Sequence, residues 1–426
     1  MTRGCKGAAI VGTGMIAGVH AQAVRATGGR VRGVVASSPE RGTQVAKEWE
    51  LPRGYPDLEA ALADDSVDMV HICTPNGLHA AQAEAALRAG KHVICEKPLA
   101  TSAADAAHLA AVAEETQRLL AVPFVYRYHP LVREIRARVQ AGEFGAWQLL
   151  HGSYLQDWML DTDAAGWRTD PERGGPSRAF ADIGSHWCDL VEWVAGVRFA
   201  EVSARLATTI PERPAGAAPD APRVPVRTED AAAVLLRTAE GVLGTLTVSQ
   251  VSAGRKNRLW FELDGAEGSA VFDQEQPETV WLGTSEGATV LARDPGRGSP
   301  EQRRLSTLPA GHPQGYADCF RAFVADAYAA AGGAKPEGLP VAADGVRSAR
   351  LVEAALDSSR SLAWTAVDTA TGGATATATT TPATGTGTGT GTGTTVAGTD
   401  IAAAGTTATD AAATGAGPAT SKEYVS

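Results

Sequence analysis

The chain has 426 residues, 44% hydrophobic and 20% charged, enough to bury a sizeable core in two folded domains. A formal net charge of −10 without a basic stripe excludes nucleic acid as the natural partner, because phosphate binding needs clustered Lys and Arg. The apolar runs are too short to span a membrane, and five scattered cysteines, Cys5, Cys73, Cys95, Cys188 and Cys319, form neither a disulfide framework nor a CxxC knuckle.

The start, "MTRGCKGAAIVGTG", enters a strand without a secretory cleavage pattern, so a cytoplasmic protein with reduced thiols and a small ligand is expected. From residue 7 to about 122 the strand-like runs "AAIVG", "RVRGVVA", "DMVHICT", "KHVICEK" and "LLAVPFV" are separated by Ala-rich helical stretches such as "HAAQAEAALRAG" and "SAADAAHLAAVAEETQ". Alternating strand and helix predicts a parallel, doubly wound sheet. After Pro130 comes the helix "LVREIRARVQAGEFG". From about 146 the long candidates "WQLLHGSYLQDW", "FAEVSARLATT", "AAAVLLRTAEGVLGTLTVSQ" and "RLWFELDGAEGSAVFD" read as neighbours in an antiparallel sheet, with hairpin glycines in "AEG" and "GAEG". "PERPAGAAPDAPRVP" is rich enough in proline to be expected as loop. Helices return at "GYADCFRAFVADAYAA" and "DGVRSARLVEAALDSSRSL". Residues 366–426 collapse into Thr, Gly and Ala, lack bulky apolar side chains to offset ordering entropy, and are expected to be disordered.

Several stretches carry chemistry. "IVGTGMIAGVHAQA" places Gly12, Gly14 and Ala17 in the GxGxxA form of the dinucleotide fingerprint, between a strand and a helix. The acid expected at the end of the second strand is replaced by "VVASSPER". There Ser37, Ser38 and Arg41 either receive a 2′-phosphate, favouring NADP, or merely cap a helix. "CEKPLA" sets two charges, Glu96 and Lys97, behind the apolar Val93, Ile94 and Cys95, a costly placement unless they pair or meet a ligand. In "ADIGSHWCDL", Asp182, His186 and Asp189 share one side of a helix. An imidazole beside an acid can take a hydroxyl proton, but the same spacing also fits a capped helix with a surface histidine. No third ligand at close spacing accompanies them, so no metal is expected. Arg127 in "VYRYHP" and Arg168 in "GWRTD" either anchor substrate or face water, and "GRKNR" at 254–258 is expected at a solvated strand edge.

Together "IVGTGMIAGVH", "ICTPNGLHAAQAEAALRAGKHVICEKPLA", "GGPSRAFADIGSHWCDL", "AGRKNRLWFELDGAEGSAVFD" and "PVAADGVRSARLVEAAL" resemble the Gfo/Idh/MocA oxidoreductase family, from about residue 7 to 365. The resemblance implies an α/β chain with an NAD(P)-binding Rossmann domain over 1–122. Over 123–365 it implies a substrate-binding α/β domain with a large open, mainly antiparallel sheet, through which the chain forms a dimer or tetramer. It implies hydride transfer between NAD(P) and a hydroxyl or keto carbon of a sugar, glycoside or cyclitol. Lys97 then reaches the reacting oxygen, His186 exchanges the proton, Asp182 orients or binds substrate, Glu96 sits beside the cofactor ring, and the bond before Pro98 is cis. By the same resemblance the cofactor meets Gly12, Gly14, Met15, Ile16, Ser37, Ser38, Arg41, Thr74, Pro75, Asn76, His79, Glu96, Lys97 and Arg127. Substrate meets Lys97, Tyr126, Trp158, Trp167, Arg168, Asp182 and His186, the indoles offering faces on which a saccharide stacks. Two rivals keep the fold: a redox-neutral enzyme that cleaves glycosides with tightly bound NAD, and a non-catalytic nucleotide sensor.

Overall fold

The structure is a computed structural model that describes residues 7–368 other than 165, 217 and 219, so all but the first three residues of the expected tail, and Cys5, lie outside the described residues. Strands β1 (Gly7–Val11), β2 (Arg30–Val35), β3 (Gly54–Tyr55), β4 (Met69–Ile72), β5 (His92–Cys95) and β6 (Leu120–Ala121) alternate with helices α1 (Met15–Ala26), α2 (Pro39–Glu48), α3 (Leu58–Leu62), α4 (His79–Arg88) and α5 (Ala103–Thr116). The strands pair in parallel in the order β3-β2-β1-β4-β5-β6. Every residue of β1 and β4 is buried, as strands covered on both faces must be. The strand order reverses between β1 and β4, so the loops leaving them diverge and open a crevice at the carboxyl ends of the strands. Beyond β5 the Lys97–Pro98 peptide bond is cis.

The chain continues through α6 (Pro130–Gln140), β7 (Trp147–Leu155), α7 (Pro171–Gly174), α8 (Ser185–Ala195) and β8 (Phe199–Ala207) to the hairpin β9 (Glu212–Pro214) and β10 (Arg223–Pro225). It then runs through β11 (Ala231–Thr238), β12 (Leu243–Ser249), β13 (Arg258–Gly265), β14 (Ser269–Asp273), β15 (Thr279–Thr284), β16 (Gly287–Ala292), α9 (Pro300–Leu305), α10 (Tyr316–Ala331), α11 (Ala342–Ser361) and β17 (Thr365–Ala366). Nine strands form the second sheet, ordered β16-β15-β14-β13-β7-β12-β11-β8-β17. All neighbours are antiparallel except β7 and β12. Period-two alternation decides its faces: Val234, Leu236, Leu246, Val248, Leu259 and Phe261 turn to a core shared with α6, α8 and α11, and the other face is left uncovered by the described residues. The proline-rich stretch expected as loop instead carries the β9–β10 ribbon, which tolerates Pro214 and Pro225 because a two-stranded ribbon has only edges.

Packing does not follow chain order. Phe320, Phe323, Val324 and Ala327 of α10 join Ala8, Ile10, Ala21 and Val24 in one cluster, and Ala342, Val346 and Ala349 of α11 join Leu99, Leu109 and Val122 in another. Residues 7–368 thus form one compact unit. Cys73, Cys95, Cys188 and Cys319 are buried free thiols. No helix among the described residues is long and apolar enough to cross a membrane.

Candidate active site

The crevice begins at the turn from β1 into α1. Gly12 has φ +114°, and a Cβ there would lie 2.5 Å from the Cys73 carbonyl oxygen, so glycine is required. Above Gly14 the space is open: a Cβ would meet nothing within 4 Å. Helix α1 has no side-chain cap and no acid in its first turn, and Met15 is exposed, with Ile16 half-buried beside it. Uncapped N–H groups under a glycine opening fit the pyrophosphate of a dinucleotide. At the end of β2, Ser37 is exposed, Ser38 caps α2 by accepting from the Arg41 N–H at 3.2 Å, and the Arg41 guanidinium lies 3.6 Å from Glu48.

The loops after β4 and β5 are tied to each other. His79 places one ring nitrogen 2.9 Å from the Thr74 carbonyl and the other 2.8 Å from that of Pro98. Burial pushes its pKa down, against the upward pull of the two carbonyls. Thr74 donates to Gln82, and Asn76, following Pro75, donates to the Gly174 carbonyl at 2.9 Å. The two charges of "CEKPLA" take separate partners. Glu96 is buried and sits 3.0 Å from His20, whose other ring nitrogen is 2.9 Å from His71, itself 3.1 Å from the Tyr328 hydroxyl. Lys97 turns the opposite way and donates to Asp182 at 2.5 Å.

Asp182 belongs to a π-helical turn, Phe180–Gly184, that runs into α8. Such turns displace side chains from the ordinary helical track. Burial would push the Asp182 carboxyl up, but the charges of Lys97 and then Arg168 hold it down to about 2. His186, one turn on, is buried edge-on to Tyr126 at 4.9 Å and to Phe124 at 5.6 Å, and its Nδ1 is buried with no partner. Burial, reinforced by the Lys97 charge and opposed by Asp182, sets its pKa well below the usual 6.5, so the ring is neutral near pH 7 and free to accept a proton. The Tyr126 hydroxyl is 2.6 Å from that of Tyr154, and Asn257 bonds both hydroxyls, at 3.3 and 2.8 Å.

Lys97, Asp182, His186 and Tyr126 therefore converge, and Arg168 lies within electrostatic reach of Asp182. Arg168 stacks over Trp167 at 4.4 Å and Trp158 at 5.5 Å. The indole faces expected to receive a sugar are thus partly occupied by this guanidinium. Arg127 is not among the groups brought together: it is buried, with its Nε and Nη2 bound to Asp189 and Asp344. Asp189 accordingly serves Arg127 rather than His186. Asn257, expected in water within 254–258, joins the tyrosines instead, because the Glu275 carboxylate accepts from the Lys256 and Asn257 N–H groups and holds that stretch against the cluster.

Gln250 was missed. It extends the buried phase of β12, after Gly244, Leu246 and Val248, and a polar residue in that phase is the signal that could have found it. Among the described residues the only group with metal-ligand chemistry is His151, Glu262 and Asp264 on the uncovered face of the second sheet, where the imidazole faces the two carboxylates at 3.7 and 3.4 Å.

Residues 6–124 match the family model described as "Oxidoreductase family, NAD-binding Rossmann fold", and residues 132–271 match the "GFO/IDH/MocA C-terminal domain". The chain is 34% identical over 262 residues to levoglucosan dehydrogenase of Pseudarthrobacter phenanthrenivorans, covering 59% of this chain and 67% of that enzyme. It is 32% identical over 285 residues to 1,5-anhydro-D-fructose reductase of Ensifer adhaerens, covering 64% and 78%. A solved structure of levoglucosan dehydrogenase in complex with NADH and L-sorbose is similar with a TM-score of 0.80 at 28% identity, over 85% of this chain and 99% of that one. An oxidoreductase domain protein from Kribbella flavida is similar with a TM-score of 0.78 at 32% identity, over 85% and 99%. Both halves of the crevice match models of one family, and the motifs lie in the order the resemblance demanded: the chain belongs to the Gfo/Idh/MocA oxidoreductases.

Proposed function

We propose that the protein moves a hydride between nicotinamide and a hydroxyl or keto carbon of a sugar, glycoside or cyclitol, with Lys97 and His186 handling the proton. The observation that carries this reading is the Lys97–Asp182 pair at 2.5 Å beside a neutral, unpartnered His186. The names of the relatives, levoglucosan dehydrogenase and 1,5-anhydro-D-fructose reductase, support a carbohydrate substrate. When bound, the nicotinamide supplies the hydride acceptor or donor. The protein supplies the rest. His186 takes the hydroxyl proton as the carbon is oxidised, and the Lys97 ammonium, anchored by Asp182, stabilises the negative charge that grows on that oxygen. In reduction the same groups act in reverse.

Gly12, Gly14, Met15 and Ile16 would hold the pyrophosphate, and the loops of Thr74, Pro75, Asn76, His79 and Glu96 would flank the nicotinamide half. Ser37, exposed where the family fingerprint carries an acid, favours NADP over NAD. The uncovered face of the second sheet is the surface through which copies of the chain would associate. The test is an absorbance screen at the nicotinamide band with hexoses, glycosides and inositols, run with each cofactor. Turnover that falls ~10²–10⁴-fold in His186→Ala while cofactor affinity holds is the expected result. Near-normal turnover in that variant would overturn the role of His186.

A further inference from the structure

We infer that Gln250, backed by Arg178, is a positioning residue that fixes the Asp182 carboxylate and, through it, the direction of Lys97; the inference rests on the role just given to that pair. Gln250 has no exposed surface. Its amide Nε2 donates to Asp182 Oδ2 at 2.8 Å, and its Oε1 accepts from Arg178 Nη1 at 2.9 Å. Chemistry sets this polarity, since a guanidinium can only donate and an ionised carboxylate can only accept. Asp182 thus has both oxygens assigned, Oδ2 to Gln250 and Oδ1 to Lys97. Rotation of the carboxylate would break one bond to make nothing in its place.

The support continues inward. Arg178 binds Asp230, which accepts from the Thr209 and Ile210 N–H groups at 2.7 and 2.9 Å. The Gln250 backbone is held as well, its N–H donating to the Asp230 carbonyl at 3.0 Å and its carbonyl accepting from Met159 at 3.1 Å. Next to Asp230, Glu229 accepts from Ser177 Oγ and from the N–H groups of Arg178 and Phe180, at 2.7, 3.0 and 2.8 Å, and so caps the start of the turn that carries Asp182. Two adjacent acids on one strand approach therefore fix the backbone of that turn and the side chain at its centre. The Gln amide offers an acceptor to Arg178 and a donor to Asp182 at once, which neither Leu nor an ionised Glu can do.

The experiment compares wild type, Gln250→Leu and Gln250→Glu. Each is labelled with trace acetic anhydride, and Lys97 acetylation is read by mass spectrometry against the other lysines as internal standards. Turnover, its pH profile, NADH affinity and the melting curve are measured in parallel. Gln250→Leu is expected to raise relative Lys97 labelling several-fold and to cut kcat about tenfold with NADH affinity unchanged. Gln250→Glu satisfies Arg178 but sets a second carboxylate against Asp182, so the acid limb of kcat moves up by about one pH unit. A purely structural role would lower melting temperature and NADH affinity together and leave the pH profile in place. Unchanged Lys97 labelling in both variants overturns the inference. If wild type turns over no sugar, the proposed function fails, and the labelling still decides the role of Gln250.

Discussion

Glu96 and Lys97 are neighbours in the chain and separate in space, one toward His20 and the other toward Asp182. Each charge finds the partner its burial demands, and Lys97 keeps its ammonium on the crevice side. Replacing Lys97 with Ala should cut kcat, and the double variant with His186→Ala should lose less than the two single losses combined, because both groups serve one proton step. Full additivity in a double-mutant cycle would separate their roles. Lys97→Arg should not restore turnover, since a planar guanidinium cannot take the place of a compact ammonium against Asp182. The depressed pKa of His186 also has a kinetic sign: the base stays neutral below pH 6.5, so the acid limb for oxidation lies under the ordinary histidine value. A limb at or above 6.5 would remove His186 as the base.

At the scale of elements, the turn from β1 into α1 uses two glycines for two reasons. Gly12→Ala should lower the melting temperature by several degrees, because φ +114° and the Cys73 carbonyl both oppose a side chain. Gly14→Ala should leave the melting curve alone and weaken NADH binding, because its Cβ would fill only the space meant for the dinucleotide. Paired melting and fluorescence titrations check both, and an unstable Gly14→Ala protein would contradict the second. This turn was readable from sequence because glycine spacing encodes a backbone shape. The strands were readable for a similar reason, their alternation being a direct image of burial. Gln250, Arg178 and Glu229 were not, since what matters about them is who faces them across the sheet, and pairing register is not written in local spacing. The ribbon at β9 and β10 was hidden by prolines, which signal loop but are harmless on an edge strand, and a two-stranded ribbon has no other kind.

For the whole molecule, Leu149, Leu235, Leu243, Trp281 and Val290 are exposed on the uncovered face of the second sheet. Leu243→Asp should shift the mass measured by light scattering to a smaller species if copies meet there; an unchanged mass would rule this face out as an interface. A second prediction concerns acid. His71, His79, His129 and His186 are all depressed by burial, His129 to about 4. Unfolding returns each to the ordinary value near 6.5, so below that pH the unfolded chain binds more protons than the folded one, and stability falls as pH drops from 6.5 towards 4. Melting curves at pH 7.5, 6 and 5 should show the decline, and a flat series would mean the histidines titrate alike in both states.

The covering of β1 by α10 has a temporal consequence. During synthesis β1 and its neighbours emerge first, yet the apolar Ala8, Ile10, Ala21 and Val24 lack Phe320, Phe323 and Val324 until the ribosome has passed Ala331. From Val24 to Ala331 that is a delay of roughly 300 residues, or about 15–60 s at ~5–20 residues per second. Until then the nascent chain carries a half-dressed sheet whose greasy flank chaperones can reach, and a message stalled anywhere in the second sheet releases a fragment that is protease-sensitive rather than a small nucleotide-binding protein.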